Sequence, residues 1–179
     1  MQVSNQASPL TSSYNPQSLF SLIIVAGLIF GLDQFAKTMV VNSLALYESW
    51  APIPALERIF RFTYIHNTGA AFGMFSKSGS VFVVVAIVVA AAIFYFYPLV
   101  SNWLVKLSLG LQLGGAMGNL WDRIFNNGAV IDYVDIGFWP IFNIADISIV
   151  TGVTILAVWL WQLEAQASKQ QPPQAEGTD

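Results

Sequence analysis

The chain has 179 residues, 55% of them hydrophobic and 9% charged, with a formal net charge of −3. A soluble domain carries about 25% charged residues, so an ordinary soluble fold is excluded, and no basic cluster points to a nucleic-acid partner. With no cysteine and one histidine, His66, neither a disulfide framework, a thiolate nucleophile nor a site built from several histidines is available.

A spanning helix needs roughly 20 mostly apolar residues, and four blocks qualify: 19–41, 79–99, 103–121 and 141–163. They predict an all-α membrane protein of four transmembrane helices with a small extramembrane β-sheet between helices 1 and 2. Residues 1–17, "MQVSNQASPLTSSYNPQ", are rich in Ser, Asn, Gln and Pro and are predicted to be a disordered tail. They contain no Lys or Arg, and helix 1 runs into "LDQFAK" instead of a small-residue cleavage site, so it reads as a retained helix and not a cleaved signal peptide. Asn15 and Pro16 suit an N-cap and first helical position, and helix 1 is expected over 17–41. Asp33 and Lys37 lie at its far end, spaced i, i+4 on one face.

Residues 42–78 are too interrupted to span. "FRFTYIH" alternates, with Phe60, Phe62, Tyr64 and His66 on one face and Arg61, Thr63 and Ile65 on the other, which is strand periodicity. "NTGAAFGMF" follows, where Gly69 and Gly73 permit a turn. Helix 2, "SVFVVVAIVVAAAIFYFY", stops at Pro98. Helix 3 starts near Trp103 and carries Gly110, Gly114 and Gly118 at four-residue spacing, the small-residue stripe of closely packed membrane helices. It ends in "GNLWDR", placing Asn119, Asp122 and Arg123 on one face. A loop bearing Asp132 and Asp135 leads to helix 4, expected over 141–163, whose opening "FNIAD" sets Asn143 and Asp146 one turn apart with Asp146 inside the helix. Residues 164–179 are predicted to be a second disordered tail.

If the helices alternate, Tyr95, Tyr97, Trp103, Trp159 and Trp161 fall at one membrane face and Trp50, Trp121 and Trp139 at the other, as interfacial belts require. The acidic residues outside the tails collect at the face opposite the termini. Lys37, Arg58, Arg61, Lys77 and Arg123 lie on that side too, against Lys106 and Lys169 on the other, which by the positive-inside rule alone would put the termini outside.

An ionisable side chain within a membrane segment is expensive and marks function by default, and Asp146 is the leading case. Two carboxyl groups about 3 Å apart share one proton, giving a general base for water and a general acid for a carbonyl, chemistry that needs neither metal nor other cofactor. Asp122, Asp132 and Asp135 all remain open as the partner of Asp146. No H-E-x-x-H or G-x-S-x-G motif offers another nucleophile scheme. A rival reading is a small ion or proton carrier with Asp33, Asp132 and Asp146 as a relay, but a relay should reach both faces, and these residues gather at one. A non-catalytic scaffold acting through the glycine stripe would leave the Asp and Asn clustering unexplained.

Taken in order, "LDQFAK", "HNTGAAFGMF", "GGAMGNLWDR", "VIDYVD" and "FNIADISI" resemble the successive motifs of lipoprotein signal peptidase, or signal peptidase II, over residues 20–163. The resemblance implies an aspartic endopeptidase of the bacterial inner membrane that removes the signal peptide of a prolipoprotein just before its diacylglyceryl-modified cysteine. It selects Asp132 and Asp146 as the catalytic pair and leaves Asp135 a bystander. Asn67, Asn119 and Asn143 would orient the peptide or the pair, and Asp33, Lys37, Asp122 and Arg123 would hold helix ends or substrate backbone. The 42–78 segment would cradle the substrate, with the signal helix and acyl chains in an apolar groove between helices. Lipidated precursor and membrane lipids are the implied partners of a monomer whose termini are cytoplasmic and whose site lies near the outer leaflet. Lys37 and Arg123 then belong to the site and drop out of the charge count. The link from Asp132 to Asp146 is short for such a family, so the resemblance does not extend to the size of any flap over the site, and the "IFNNGAV" link before Asp132 is slightly expanded.

Overall fold

A computed structural model describes residues 16–69 and 79–170. Both outermost stretches and all of "AAFGMFSKS", with Gly73 and Lys77, lie outside the described residues. Four α-helices, α1 (Ser18–Ser43), α2 (Gly79–Phe96), α3 (Trp103–Phe125) and α4 (Ile144–Gln170), are joined by three strands, β1 (Ser49–Trp50), β2 (Arg61–Asn67) and β3 (Val130–Asp135). Short 3₁₀ turns occupy Pro54–Leu56 and Tyr97–Leu99.

Among the described residues, three helical segments, Ser18–Ser43, Val81–Leu99 and Ile144–Lys169, are long and apolar enough to cross a membrane. α3 is not one of them. Its length suffices, but Lys106, Gln112, Asn119, Asp122 and Arg123 dilute its apolar residues. Those polar groups are tolerated because α3 is the hub, packed against α1, α2 and α4 at once.

α1 is apolar on all sides. Its buried residues Ser18, Leu22, Ala26, Asp33 and Lys37 form one seam, while Phe20, Leu28 and Phe35 are outward and exposed. The glycine stripe of α3 receives that seam: a Cβ on Gly114 would stand 2.8 Å from the Ala26 carbonyl oxygen, and one on Gly118 would stand 2.5 Å from Asp33 Oδ2. The α1 N-cap is Gln17, two residues later than the Asn15–Pro16 signal suggested, and it makes no side-chain cap bond. Tyr97, expected in the interfacial belt, is instead buried, with its hydroxyl 3.0 Å from Ser21 Oγ. Tyr95, Trp103 and Trp161 do stand exposed, as do Trp50, Trp121 and Trp139.

The sheet differs from expectation in its membership. It is three-stranded and antiparallel in the order β1-β2-β3, and its third strand comes from beyond α3, from the segment read as a loop. Asn126 caps α3, after which Asn127 (φ 52°) and Gly128 (φ 88°) take the left-handed conformation. That geometry, natural for glycine and tolerated by asparagine, reverses the chain into β3. The alternation Val130, Asp132, Val134 against Ile131, Tyr133, Asp135 is the strand signal that "VIDYVD" contained. β2 pairs with β3 from Arg61↔Asp135 to Asn67↔Val130, with one irregularity between Phe62 and Ile65. On the other edge Phe142 bridges Val134, exchanging N–H···O bonds of 3.1 and 2.8 Å. The chain therefore doubles back beside β3 just before α4 begins.

α4 also departs from its predicted span. It starts at Ile144, with Asn143 just outside, and continues to Gln170, through residues read as a disordered tail. "EAQASKQ" is polar, which suggested disorder, but Ala, Glu, Gln and Lys are strong helix formers and extend a helix already nucleated.

Candidate active site

Asp33, Lys37, Asn67, Asn119, Asp122, Arg123, Asp132, Asn143 and Asp146 come from five separate elements or their ends, and the fold brings all nine to one end of the helix bundle. They form two connected layers.

The inner layer is an ion cluster. Lys37 Nζ lies 2.7 Å from Asp33 Oδ2 and 2.8 Å from Asp122 Oδ2, with these side chains at most 2% exposed. Its third bond, 3.2 Å, goes to Asn119 Oδ1. The remaining acceptor capacity is used on backbone: Asp122 Oδ2 accepts the Ile131 N–H at 3.0 Å, and Asp33 Oδ1 accepts the Ala145 N–H at 3.0 Å. Those two amides immediately precede Asp132 and Asp146. The cluster thus clamps the backbone beside each candidate catalytic carboxylate. Gln34, which the sequence reading left out of the site, completes it, donating to Asp33 Oδ2, to Asp122 Oδ1 and to the Gly118 carbonyl at 3.1–3.3 Å. Its adjacency to Asp33 in "LDQFAK" was the available signal.

The outer layer holds the carboxylates themselves. Asp132 stands on β3 and is buried; Asp146 lies in the first turn of α4 and is half-buried. Asp132 Oδ1 accepts from Asn143 Nδ2 at 2.6 Å, and its Oδ2 accepts from Asn67 Nδ2 at 2.8 Å. Asp146 Oδ1 accepts from Asn119 Nδ2 at 2.8 Å, and its Oδ2 accepts the Asn143 backbone N–H at 3.2 Å. All four oxygens are held. Asn143 also accepts the Asp146 N–H at 2.9 Å, so "NIAD" is a reciprocal capping box, with Asn at the N-cap and Asp three residues on. Asp146 is therefore not buried inside the helix, as the sequence suggested, but serves its mouth, where a carboxylate also meets the positive end of the helix dipole. Asn143 Nδ2 lies 3.0 Å from Asn119 Oδ1 as well, tying the amides to each other and, through Asn119, to Lys37.

Burial first, and then the neighbouring Asp146 charge, raise the Asp132 carboxyl to about 7, against the opposing pull of the amides of Asn67 and Asn143 and of Lys37. Asp132 is therefore a carboxylic acid that can hold a proton near neutrality, next to a second carboxyl group. Asp135 is different in kind. Burial opposes its charge, yet the Gly137 N–H, Arg61 and Thr63 hold it below the usual carboxylate range. Its 2.7 Å pair with Arg61 Nε and 3.0 Å bond from Thr63 fasten β3 to β2 on the side away from the groove. Among the described residues, no group of three or more His, Cys, Asp or Glu is arranged to hold a metal ion.

Asp132 and Asp146 sit at the mouth of a groove of about 550 Å³ between α2, α3 and α4, walled by Val85 and Val89, by Gln112 and Ala116, and by Ile149 and Val153. Arg123 lines the same mouth, its guanidinium 4.9 Å from the Phe82 ring centre and its Nη1 3.3 Å from the Asn119 carbonyl oxygen. It faces the groove, whereas Asp122, predicted on the same face, turns inward to Lys37.

The family model described as "Signal peptidase (SPase) II" matches residues 25–162. The chain is 42% identical over 142 residues to the lipoprotein signal peptidase of Halothermothrix orenii, covering 79% of this chain and 95% of that one. It is 42% identical over 152 residues to the lipoprotein signal peptidase of Moorella thermoacetica, covering 83% and 95%. A solved bacterial membrane enzyme, determined by the in meso method at 2.3 Å resolution, superposes with a TM-score of 0.75 at 26% identity, covering 93% of this chain and 99% of that chain.

Apolar helices around a polar, carboxylate-bearing site, with that structural likeness, define an integral membrane enzyme of the protease class. The chain belongs to the signal peptidase II family, the lipoprotein signal peptidases. That membership sets aside the ion- or proton-carrier reading.

Proposed function

We propose that this chain is the aspartic endopeptidase that removes the signal peptide from diacylglyceryl-modified prolipoproteins, cutting just before the lipidated cysteine, with Asp132 and Asp146 activating the attacking water. The observation that supports this most is the pairing itself: two carboxyl groups held by the same asparagine, Asn143, at the open end of an apolar groove, one of them raised to about 7.

In this reading Asp132 holds the shared proton and gives it to the scissile carbonyl oxygen, while Asp146 takes a proton from the water as its oxygen bonds to the carbonyl carbon. The tetrahedral intermediate then collapses: the C–N bond breaks, the proton held by Asp146 passes to the leaving amine, and a hydroxyl proton of the intermediate returns to Asp132 as the carboxylic acid forms. Asn67, Asn119 and Asn143 orient the two carboxyls, and Arg123 faces the substrate at the groove mouth. The ion cluster of Asp33, Lys37 and Asp122 fixes the backbone beneath them. The groove suits a signal helix and acyl chains, because its walls below the mouth are mostly aliphatic. α3 counts as the fourth span, its polar groups shielded by the other three helices. The protein is a monomer of the bacterial inner membrane, with both termini cytoplasmic and the site near the outer leaflet.

The test is cleavage by the purified chain, in lipid bicelles, of one precursor offered with and without its diacylglyceryl group. The modified form should be cut, with mass spectrometry reading the lipidated cysteine as the new N-terminus, and the unmodified form should persist. Equal cleavage of both forms, or a cut elsewhere, would refute the assignment.

A further inference from the structure

One polar side chain of the groove is not absorbed by the site. Gln112 lies on the α3 face that also presents Ala116, Asn119 and Arg123 to the groove. Its Nε2 is buried and, among the described residues, has no hydrogen-bond partner. The wall around it is aliphatic, formed by Val85, Ala86 and Val89 of α2 and by Ile149 and Val153 of α4. An amide left unsatisfied in such surroundings is destabilising, and polar side chains at membrane depth default to a functional explanation. Packing holds the stem in position: a Cβ on Gly152 of α4 would stand 2.8 Å from Gln112 Cγ and 2.6 Å from the Ser108 carbonyl oxygen, while the terminal amide turns about a broad, two-fold torsion that brings its enclosed N–H to the groove. Only a glycine there leaves room for the stem.

The proposed reaction creates a need for such a donor. A signal peptide crosses the membrane as a helix, and its last four carbonyls have no intrahelical partner. Presenting one peptide bond to Asp132 and Asp146 extends the residues before it and frees further carbonyls where no water can meet them. Gln112 is seven residues from Asn119, two helical turns or about 10.5 Å deeper along α3. An extended chain covers that depth in about three residues at ~3.3 Å each.

Resting on the function proposed above, we propose that Gln112 is a specificity-determining residue. Its carboxamide donates to a backbone carbonyl of the signal peptide about three residues before the scissile bond. It thereby selects substrates that are unwound at that depth.

The experiment uses the full chain in bicelles and a diacylglyceryl-modified precursor peptide, in an all-amide form and in forms where an ester replaces one linkage at a time, two to four residues before the cut. An ester carbonyl is the weaker acceptor. Gln112→Leu should raise KM about tenfold, with kcat nearly parental, as loss of uniform binding does. One ester position should weaken the parent comparably and cost Gln112→Leu little more, the non-additivity of groups in contact. Its unfolding temperature should be unchanged or higher, since leucine leaves no buried N–H unsatisfied. A parental KM, losses that multiply at every ester position, or a lowered unfolding temperature would overturn the proposal. A parent that cuts the all-amide peptide while Gln112→Leu behaves identically overturns this inference alone, whereas a parent that cuts nothing overturns the proposed function and this inference with it.

Discussion

Asn143 does four things with one side chain and one backbone amide. It donates to Asp132, donates to Asp146, accepts the Asp146 N–H and contacts Asn119. A neutral amide suits this position because it can donate to a carboxyl in either protonation state without fixing the charge of the pair. The charge is set instead by burial and by the proximity of two acids, which lift Asp132 to about 7. If Asp132 must hold the proton for cleavage, the rate should fall about tenfold per pH unit on the alkaline side, with an apparent value near 7 that belongs to the coupled pair. A pH–rate profile of kcat on a lipidated precursor checks this, and a flat profile between pH 6 and 9 would contradict it. The same raised value has a stability consequence. The folded state binds this proton more tightly than the unfolded chain, so its contribution is full below the ordinary carboxyl range near 4 and is lost as pH rises to about 7.

At the scale of elements, the molecule is tied together by charge buried between helices. Lys37 joins α1 to α3 through Asp122, and the acids on either side of it reach onward to the first residues of β3 and α4. Removing the cation strands two buried carboxylates. Lys37→Met should cost about 3–5 kcal/mol, read as a large drop in unfolding temperature in detergent. The triple variant Asp33→Asn, Lys37→Met, Asp122→Asn should recover most of that loss, since it leaves no uncompensated charge; failure to recover would mean that Lys37 acts through packing. Half of this cluster was legible in the sequence, because Asp33 and Lys37 are one helical turn apart. The other half was not, since nothing local links Lys37 to an aspartate 85 positions on. β3 was missed for a different reason: its partner β2 is separated from it in sequence by α2 and α3, although "VIDYVD" alternates as a strand should, with two acids in six residues. Their solution is that Asp132 and Asp135 leave opposite faces of the strand, one into the asparagine cradle and one to Arg61.

Over the whole molecule, four helices occur in the order of the apolar blocks, though only three among the described residues are apolar enough to span, and the nine residues the motifs singled out gather at one end of the bundle. The sequence left open how a bundle this apolar could hold so many polar groups. The answer is α3, the least apolar helix, which lies at the centre and turns Gly110, Gly114 and Gly118 to α1, its inner acid to Lys37, and its Asn119, Arg123 and Gln112 toward the groove. Strand β3 and helix α4 then meet across the Val134–Phe142 bridge, so that two aspartates from different elements face one opening. The central claim is that these two carboxyls perform the cleavage together. The most direct measurement is single-turnover cleavage of a diacylglyceryl-modified precursor by Asp132→Asn and Asp146→Asn, each compared with the parent and each shown to keep a cooperative unfolding transition. Loss of a positioned acid or base costs about 10²–10⁴-fold, and each variant should fall by at least that much. A folded variant of either aspartate that cuts at near-parental rate would contradict the account.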